Sequence, residues 1–148
     1  MILGIIGAAT VFALAPPSSA SPCPAHVGDA VLQAHAGAVV NECKQETEDG
    51  KMQYEVKITL KDGKRMELDV DPAGKILQTE EYLELAAVPA VVMRAFTTKF
   101  PGAKATKAEK QTASDGKVTY EIRYGAATAK KEVTFTADGA LVEEEGQD

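Results

Sequence analysis

KMQYEVKITLKDGKRMELDV, residues 51–70, is the stretch that decides the fold. Its first half alternates strictly, with Met52, Tyr54, Val56, Ile58 and Leu60 on one side and Lys51, Gln53, Glu55, Lys57, Thr59 and Lys61 on the other. A period of two residues marks a strand with one buried face and one face in water. After Asp62-Gly63 the alternation resumes with Met66, Leu68 and Val70 inward, so the segment reads as a hairpin. Parity then selects its turn. A two-residue Asp62-Gly63 loop would set Ile58 opposite Glu67 and every apolar side chain opposite a polar one, which a half-buried sheet cannot accept. A three-residue loop, Lys61-Asp62-Gly63 with Gly63 left-handed in a bulge, instead pairs Ile58 with Met66, Val56 with Leu68 and Tyr54 with Val70. On the wet face it sets Lys57 opposite Glu67.

The start of this hairpin recurs. DGKMQYEVK (Asp49–Lys57) returns as DGKVTYEIR (Asp115–Arg123), with five of nine positions identical. Carrying the pairing over to KVTYEIRY and KEVTFTA sets Ile122 opposite Val133, Tyr120 opposite Phe135 and Arg123 opposite Glu132. The same cross-strand ion pair is thus expected twice, each adding roughly 0.2–1 kcal/mol. The second connection, GAATAK, has weak turn chemistry. Both hairpins continue into a turn, DPAGK with Pro72 second and Gly74 fourth in a type I turn, and TADGA. Short closing strands follow near 76–79 and 141–143, and less regular strands precede the hairpins near 39–46 and 104–111.

A helix precedes each set of strands. In VPAVVMRAFTTKFPGA, Pro89 fits the first turn, Val88, Val92, Phe96 and Phe100 form one stripe, and Pro101-Gly102 is a stop. VGDAVLQAHAGA, from Val27, aligns with it if about one helical turn is missing. The expected fold class is α+β: two tandem α-β-β-β(-β) repeats, residues 27–87 and 88–145, with helices packed on one face of an antiparallel sheet. Units of about 60 residues have marginal cores alone, so one shared core is expected, with the opposite sheet face polar and open.

Residues 1–20 read as a secretory signal peptide, with an uncharged apolar run from Ile2 to Ala15, Pro16-Pro17, and small residues at Ser18 and Ala20 before cleavage. About 14 apolar residues fall short of the roughly 20 that span a bilayer. Residues 21–26 are then a tail and the mature chain is exported, periplasmic or extracellular, without stable membrane insertion. In an oxidising compartment Cys23 and Cys43 pair by default, pinning the N-terminus to the first strand. Two alternatives are weaker. Lipidation at Cys23 is disfavoured by Pro22, and a zinc site from Cys23, His26, His35 and Cys43 has no compact ligand spacing.

With 16 Lys/Arg against 22 Asp/Glu, a net charge of −6 and a pI near 5.0, the 148-residue chain is a poor nucleic-acid binder. The acidity lies in the first half, where residues 27–87 hold 13 acids and 7 bases; residues 88–148 hold 9 of each. The two histidines, His26 and His35, sit near the N-terminus, so no Ser-His-Asp or Cys-His constellation is expected. Phosphate-cradling glycine loops are missing too. Glu55 opposite Asp69 is a like-charged pair that could share a proton or hold a hard cation, although a salt-screened wet face is the simpler reading. Residues 146–148 close the chain as an acidic tail.

VPAVVMRAFTTKFPGAK, KVTYEIRY and KEVTFTADGALVEEE together resemble a PepSY-like domain, and QYEVKITLKDGKRMELDVDPAGKIL resembles the broader PepSY pattern. The resemblance covers about residues 27–145. It implies tandem helix-plus-sheet units similar to beta-lactamase inhibitory protein, located outside the cytoplasm and associated with peptidase propeptides and with inhibitory or regulatory binding. It implies no catalytic residues and no cofactor.

The aromatic residues Tyr54, Tyr120, Tyr124 and Phe135 fall inward and are read as core. The binding face must then come from Gln53, Glu55, Lys57, Glu67, Asp69, Thr119, Glu121, Arg123, Glu132 and Thr134. The expectation is an exported, non-enzymatic module binding or inhibiting an envelope or extracellular protein, with peptidases and other hydrolases as candidates. The alternative is a structural or sensory domain binding a cation or small ligand through its acidic first half.

Overall fold

In the computed structural model, residues 23–48, 50–126 and 129–146 are described. The leader reading over residues 1–20, the centre of the GAATAK connection and most of the 146–148 tail lie outside them. The quoted hairpin forms as parity requires. Strands β2 (Lys51–Thr59) and β3 (Arg65–Val70) pair antiparallel with Ile58 opposite Met66, Val56 opposite Leu68, Tyr54 opposite Val70 and Lys57 opposite Glu67. The Leu60 N–H donates to the Lys64 carbonyl at 2.8 Å, closing a three-residue loop with Gly63 at φ +84°. β6 (Val118–Ala126) and β7 (Ala129–Thr136) repeat the register, with Ile122 opposite Val133, Tyr120 opposite Phe135 and Arg123 opposite Glu132.

The remaining strands are β1 (Val39–Glu48), β4 (Ile76–Leu83), β5 (Ala105–Ala113) and β8 (Leu141–Gly146). All eight form one antiparallel sheet in the order β1 to β8, each paired with its sequence neighbour. Among the described residues helix is confined to α1 (Ala25–Ala34) and α2 (Ala90–Lys99), ten residues each, plus a 3-10 turn at Leu85–Ala87. The α+β assignment is therefore overturned: one continuous eight-stranded sheet dominates the chain, and the helices are short additions to it. β4 runs to Leu83, well past the short closing strand expected at 76–79, and this length lets it pair with β5.

The expected loss of a helical turn in the first half is also wrong. α1 begins two residues ahead of Val27, behind Pro24, as α2 begins behind Pro89. A proline there costs nothing, because the first N–H groups of a helix have no intrahelical acceptor. His35 and Phe100 end the two helices, and Gly37 and Gly102 turn the chain away with positive φ.

The apolar face holds two core clusters instead of the single one expected. Val27 and Val31 of α1 meet Val56, Ile58, Leu68 and Val70 in the first. Val92 and Phe96 of α2 meet Ala108, Ile122, Val133 and Phe135 in the second, where Phe96, Phe100 and Tyr124 stack with centroids 4.7–5.6 Å apart. The halves are joined at the sheet's centre by β4–β5 pairing, from Gln78 opposite Ala113 to Leu83 opposite Ala108. The inward aromatics are as expected: Tyr124 and Phe135 are buried, and Tyr54 and Tyr120 pack partly buried against the clusters. Met52, expected inward, is exposed.

Cys23 and Cys43 are bonded, with Cα atoms 5.2 Å apart, and tie the segment ahead of α1 to β1. Closing a loop of 20 residues of separation is worth about 3 kcal/mol through the unfolded chain. The double variant Cys23→Ala/Cys43→Ala should lose about 2–4 kcal/mol in urea unfolding; an unchanged midpoint would show that the bridge constrains nothing. A second prediction concerns the turn after β7, which tucks under α2. Gly139 has φ +89°, and a Cβ there would lie 3.2 Å from the Val91 carbonyl oxygen; Gly116, at φ +86°, faces open space. Gly139→Ala should cost about 1–3 kcal/mol and more than Gly116→Ala, as read by the same titration.

Candidate functional site

The sheet face opposite the helices is polar, as expected, and it is hollowed. It forms a cleft of about 600 Å³ whose lining reaches from Glu46, Thr47 and Glu48 on one edge strand to Val142, Glu143 and Glu145 on the other. Strand alternation explains why the lining is polar: once the apolar residues of β2, β3, β6 and β7 turn toward the helices, their neighbours must point the other way.

Eight of the ten residues expected on the binding face line this cleft: Glu55, Glu67 and Asp69 from the first half, and Thr119, Glu121, Arg123, Glu132 and Thr134 from the second. Two do not. Gln53 is 5% exposed, and its amide donates to Glu46 at 3.1 Å and to Glu48 at 2.6 Å, so it braces the rim and is not free surface. Lys57 lines a smaller neighbouring cleft of about 340 Å³ with Arg65 and Tyr82. There Lys107 Nζ lies 4.0 Å from the Tyr82 ring centroid and Arg65 Cζ lies 5.6 Å from it.

The expected ion pairs form. Lys57 Nζ is 3.5 Å from Glu67 and 3.2 Å from Glu55, and Arg123 Nε is 2.7 Å from Glu132 and 3.1 Å from Glu121. Partly exposed pairs of this kind contribute little to stability, in the range of about 0–1 kcal/mol. Their larger effect is that Arg123, one of the cleft's two cations, is already engaged.

The floor was not foreseen. Gln78 and Glu80 of β4 and Gln111 of β5 lie between the two hairpins, where the Gln111 amide donates to Glu80 at 3.4 Å and to Glu121 at 3.1 Å. Thr119 Oγ1 donates to Gln111 Oε1 at 3.0 Å, and the Gln78 side-chain amide donates to Glu80 at 2.9 Å. Beside them Glu109 is buried at 2% exposure. Lys107 Nζ lies 2.6 Å from one of its carboxylate oxygens and Arg123 Nη2 3.7 Å from the other, yet neither oxygen accepts a well-aligned hydrogen bond. The sequence marked this floor only faintly, because the residues between Gln78, Glu80 and Tyr82 and between Lys107, Glu109 and Gln111 include no large apolar side chain that would set up a clear alternation.

Crowded carboxylates in a partly buried trough resist ionisation. Burial, with Glu48, Glu46 and Glu55 adding to it, pushes Asp69 up to about 7. Burial pushes Glu80 up to about 8, against the Gln78 hydrogen bond and with help from Glu109, Asp69 and Glu121. Burial and the charges of Glu109 and Glu132 push Glu121 up to about 7. Among the described residues no group of three or more His, Cys, Asp or Glu side chains is placed to hold a metal ion, and no helix is long and apolar enough to cross a membrane.

The fold is shared with solved bacterial structures. A DUF2874 family protein from Bacteroides uniformis superposes with a TM-score of 0.68 at 16% identity, over 84% of this chain and 89% of that one. A BLIP-like protein from Bacteroides fragilis gives 0.63 at 18% identity, over 85% and 87%. A protein from Bacteroides eggerthii provisionally described as periplasmic gives 0.69 at 16% identity, over 85% and 90%. The chain therefore has a BLIP-like fold. No family model matches it, and no curated protein matches it.

The raised carboxylates set a pH dependence. A carboxyl group whose folded pKa exceeds its unfolded value holds its proton more tightly when folded, so its contribution is complete below the unfolded pKa and is lost as pH rises through the folded one. For Asp69, Glu80 and Glu121 that window runs from about 4 to about 8. The melting temperature should fall between pH 5 and pH 9, and Glu80→Gln should flatten the fall. A melting temperature that rises across this range would contradict the crowded-carboxylate description.

Proposed function

We propose that the protein is an exported, non-enzymatic binding module whose curved polar sheet face holds a protein partner outside the cytoplasm. The observation that carries this reading is the cleft itself, which takes side chains from both halves of the chain and lies on the sheet face the helices leave free. The PepSY-like motifs support an inhibitory or regulatory role, with an envelope or extracellular peptidase or other hydrolase as the partner class. The BLIP-like fold and the provisional periplasmic description of a structural neighbour agree with it. So do the apolar leader over residues 1–20 and the Cys23–Cys43 bridge, which fit an oxidising compartment.

Tandem repeats at 27–87 and 88–145 are part of the same reading. The chain runs helix then four strands twice over, so each half supplies four neighbouring strands and one side of the cleft. The ten face residues named from sequence then divide into eight that contact the partner, with Gln53 bracing the rim and Lys57 at the neighbouring cleft.

A charged, partly exposed surface associates quickly and salt-sensitively. The immobilised mature chain should capture an extracytoplasmic protein at 0.1 M salt and release it at 1 M, where the screening length falls from about 10 Å to about 3 Å. Glu55→Lys/Glu132→Lys should abolish capture. Capture that survives both treatments places the binding surface elsewhere on the molecule. No capture, with a melting temperature that rises on adding calcium, favours a ligand-binding module instead.

A further inference from the structure

The cleft is chemically one-sided. Among the described residues ten carboxylates line it against two cations, Lys117 and Arg123. Arg123 is already committed, lying 2.7 Å from Glu132, 3.1 Å from Glu121 and 3.7 Å from Glu109. Lys117 stands exposed at the start of β6. The chain thus gathers acid on this face without supplying the base that would neutralise it, although it carries 16 lysines and arginines in all.

The acid is also spread out. The lining carboxylates come from every strand except β5, from edge to edge of the sheet. No three of them form a cage for a metal ion. A trough with charges strung along it matches a chain bearing several separated cationic groups better than one small ion. On the floor Glu80 Oε1 accepts from Gln78 and Gln111, and the two oxygens of Glu121 accept from Gln111 and Arg123, which leaves Glu80 Oε2 to accept from an incoming ammonium or guanidinium.

Building on the binding reading above, we infer that the trough docks a cationic segment of its partner, an exposed loop or tail that lays several lysine or arginine side chains across Glu80, Glu121 and the acidic rims. Binding is coupled to proton release. Glu80 is faced by Glu67 and Asp69 from β3, by Glu109 and Gln111 from β5 and by Glu121 from β6; Glu121 is faced by Glu109, by Glu132 from β7 and by Arg123 of its own strand. Glu80 at about 8 and Asp69 and Glu121 at about 7 therefore carry protons near neutrality. A cation laid against them favours the ionised forms and expels those protons. The segment should bind more tightly as pH rises, although its own charge is constant over the range.

The test uses the mature chain and a labelled peptide of alternating lysine and serine, with an alternating glutamate and serine peptide as control. Fluorescence anisotropy should show the lysine peptide binding about tenfold more tightly at pH 8 than at pH 6, a change of about 1.4 kcal/mol, while the glutamate peptide does not bind. Calorimetry in two buffers of different ionisation enthalpy should show proton release. Glu80→Gln/Glu121→Gln should weaken binding about tenfold at pH 8 and leave only the smaller pH dependence that Asp69 contributes. Asp29→Asn/Glu84→Gln, which deletes two exposed acids outside the cleft, should change affinity less than about twofold. Equal losses in the two double variants would reduce the effect to net charge and overturn the inference. So would spermine or calcium binding at the cleft while the lysine peptide does not. If the peptide fails but a captured partner still depends on Glu55 and Glu132, the cationic segment is wrong and the binding face stands. If neither depends on the cleft, both readings fall.

Discussion

The antiparallel pairing of β4 with β5 is the constraint on which the rest of the molecule depends. Each half has its own small apolar cluster under its own ten-residue helix, and the two clusters do not merge. Backbone hydrogen bonds between Gln78–Leu83 and Ala108–Ala113 make the two four-stranded sets one sheet. Without that seam the polar face would be two separate patches of modest charge. With it, Glu80 and Glu121 share the amide of Gln111, and acid from opposite edges of the sheet lines a single cleft.

The cleft's chemistry follows from the same arrangement. A half-buried sheet must put its polar residues on one side, and this sheet puts the acids of both hairpins and of both edge strands toward a common hollow. Burial and mutual repulsion then raise Asp69, Glu80 and Glu121 into the neutral range. The protein holds this charge at a cost to its own stability above neutral pH. That cost is what crowding carboxylates in a partly buried hollow entails, since like charges held close together repel one another.

What the sequence revealed, and what it hid, divides along the sheet. The two hairpins were readable to the residue because Val56, Ile58, Leu68, Ile122 and Val133 alternate with charges, and parity allows only one register for such a pattern. The cysteine pairing was readable from compartment and count. The centre was not. β4 is half-buried along its whole length, with Ile76 and Leu83 packing against a cluster only at its two ends, and β5 marks its inward face with little more than Ala108. Periodicity therefore fell silent where the halves join, and a shared core was expected where the structure has a shared backbone. The same silence hid Gln78, Glu80, Glu109 and Gln111, so the candidate face named residues on the cleft's flanks and none on its floor. The α+β class failed for a related reason: the helical stripes were clear in sequence, while the strand that makes the sheet continuous carried no comparable mark.

Amide hydrogen exchange across the seam tests this description most directly. If one sheet runs through the molecule, the hydrogen-bonded amides of β4 and β5 between Gln78 and Leu83 and between Ala108 and Ala113 should exchange as slowly as those of the β2–β3 and β6–β7 hairpins, opening only with global unfolding. Rapid exchange at those amides, with both hairpins still protected, would mean that the halves are independent and that no common cleft exists.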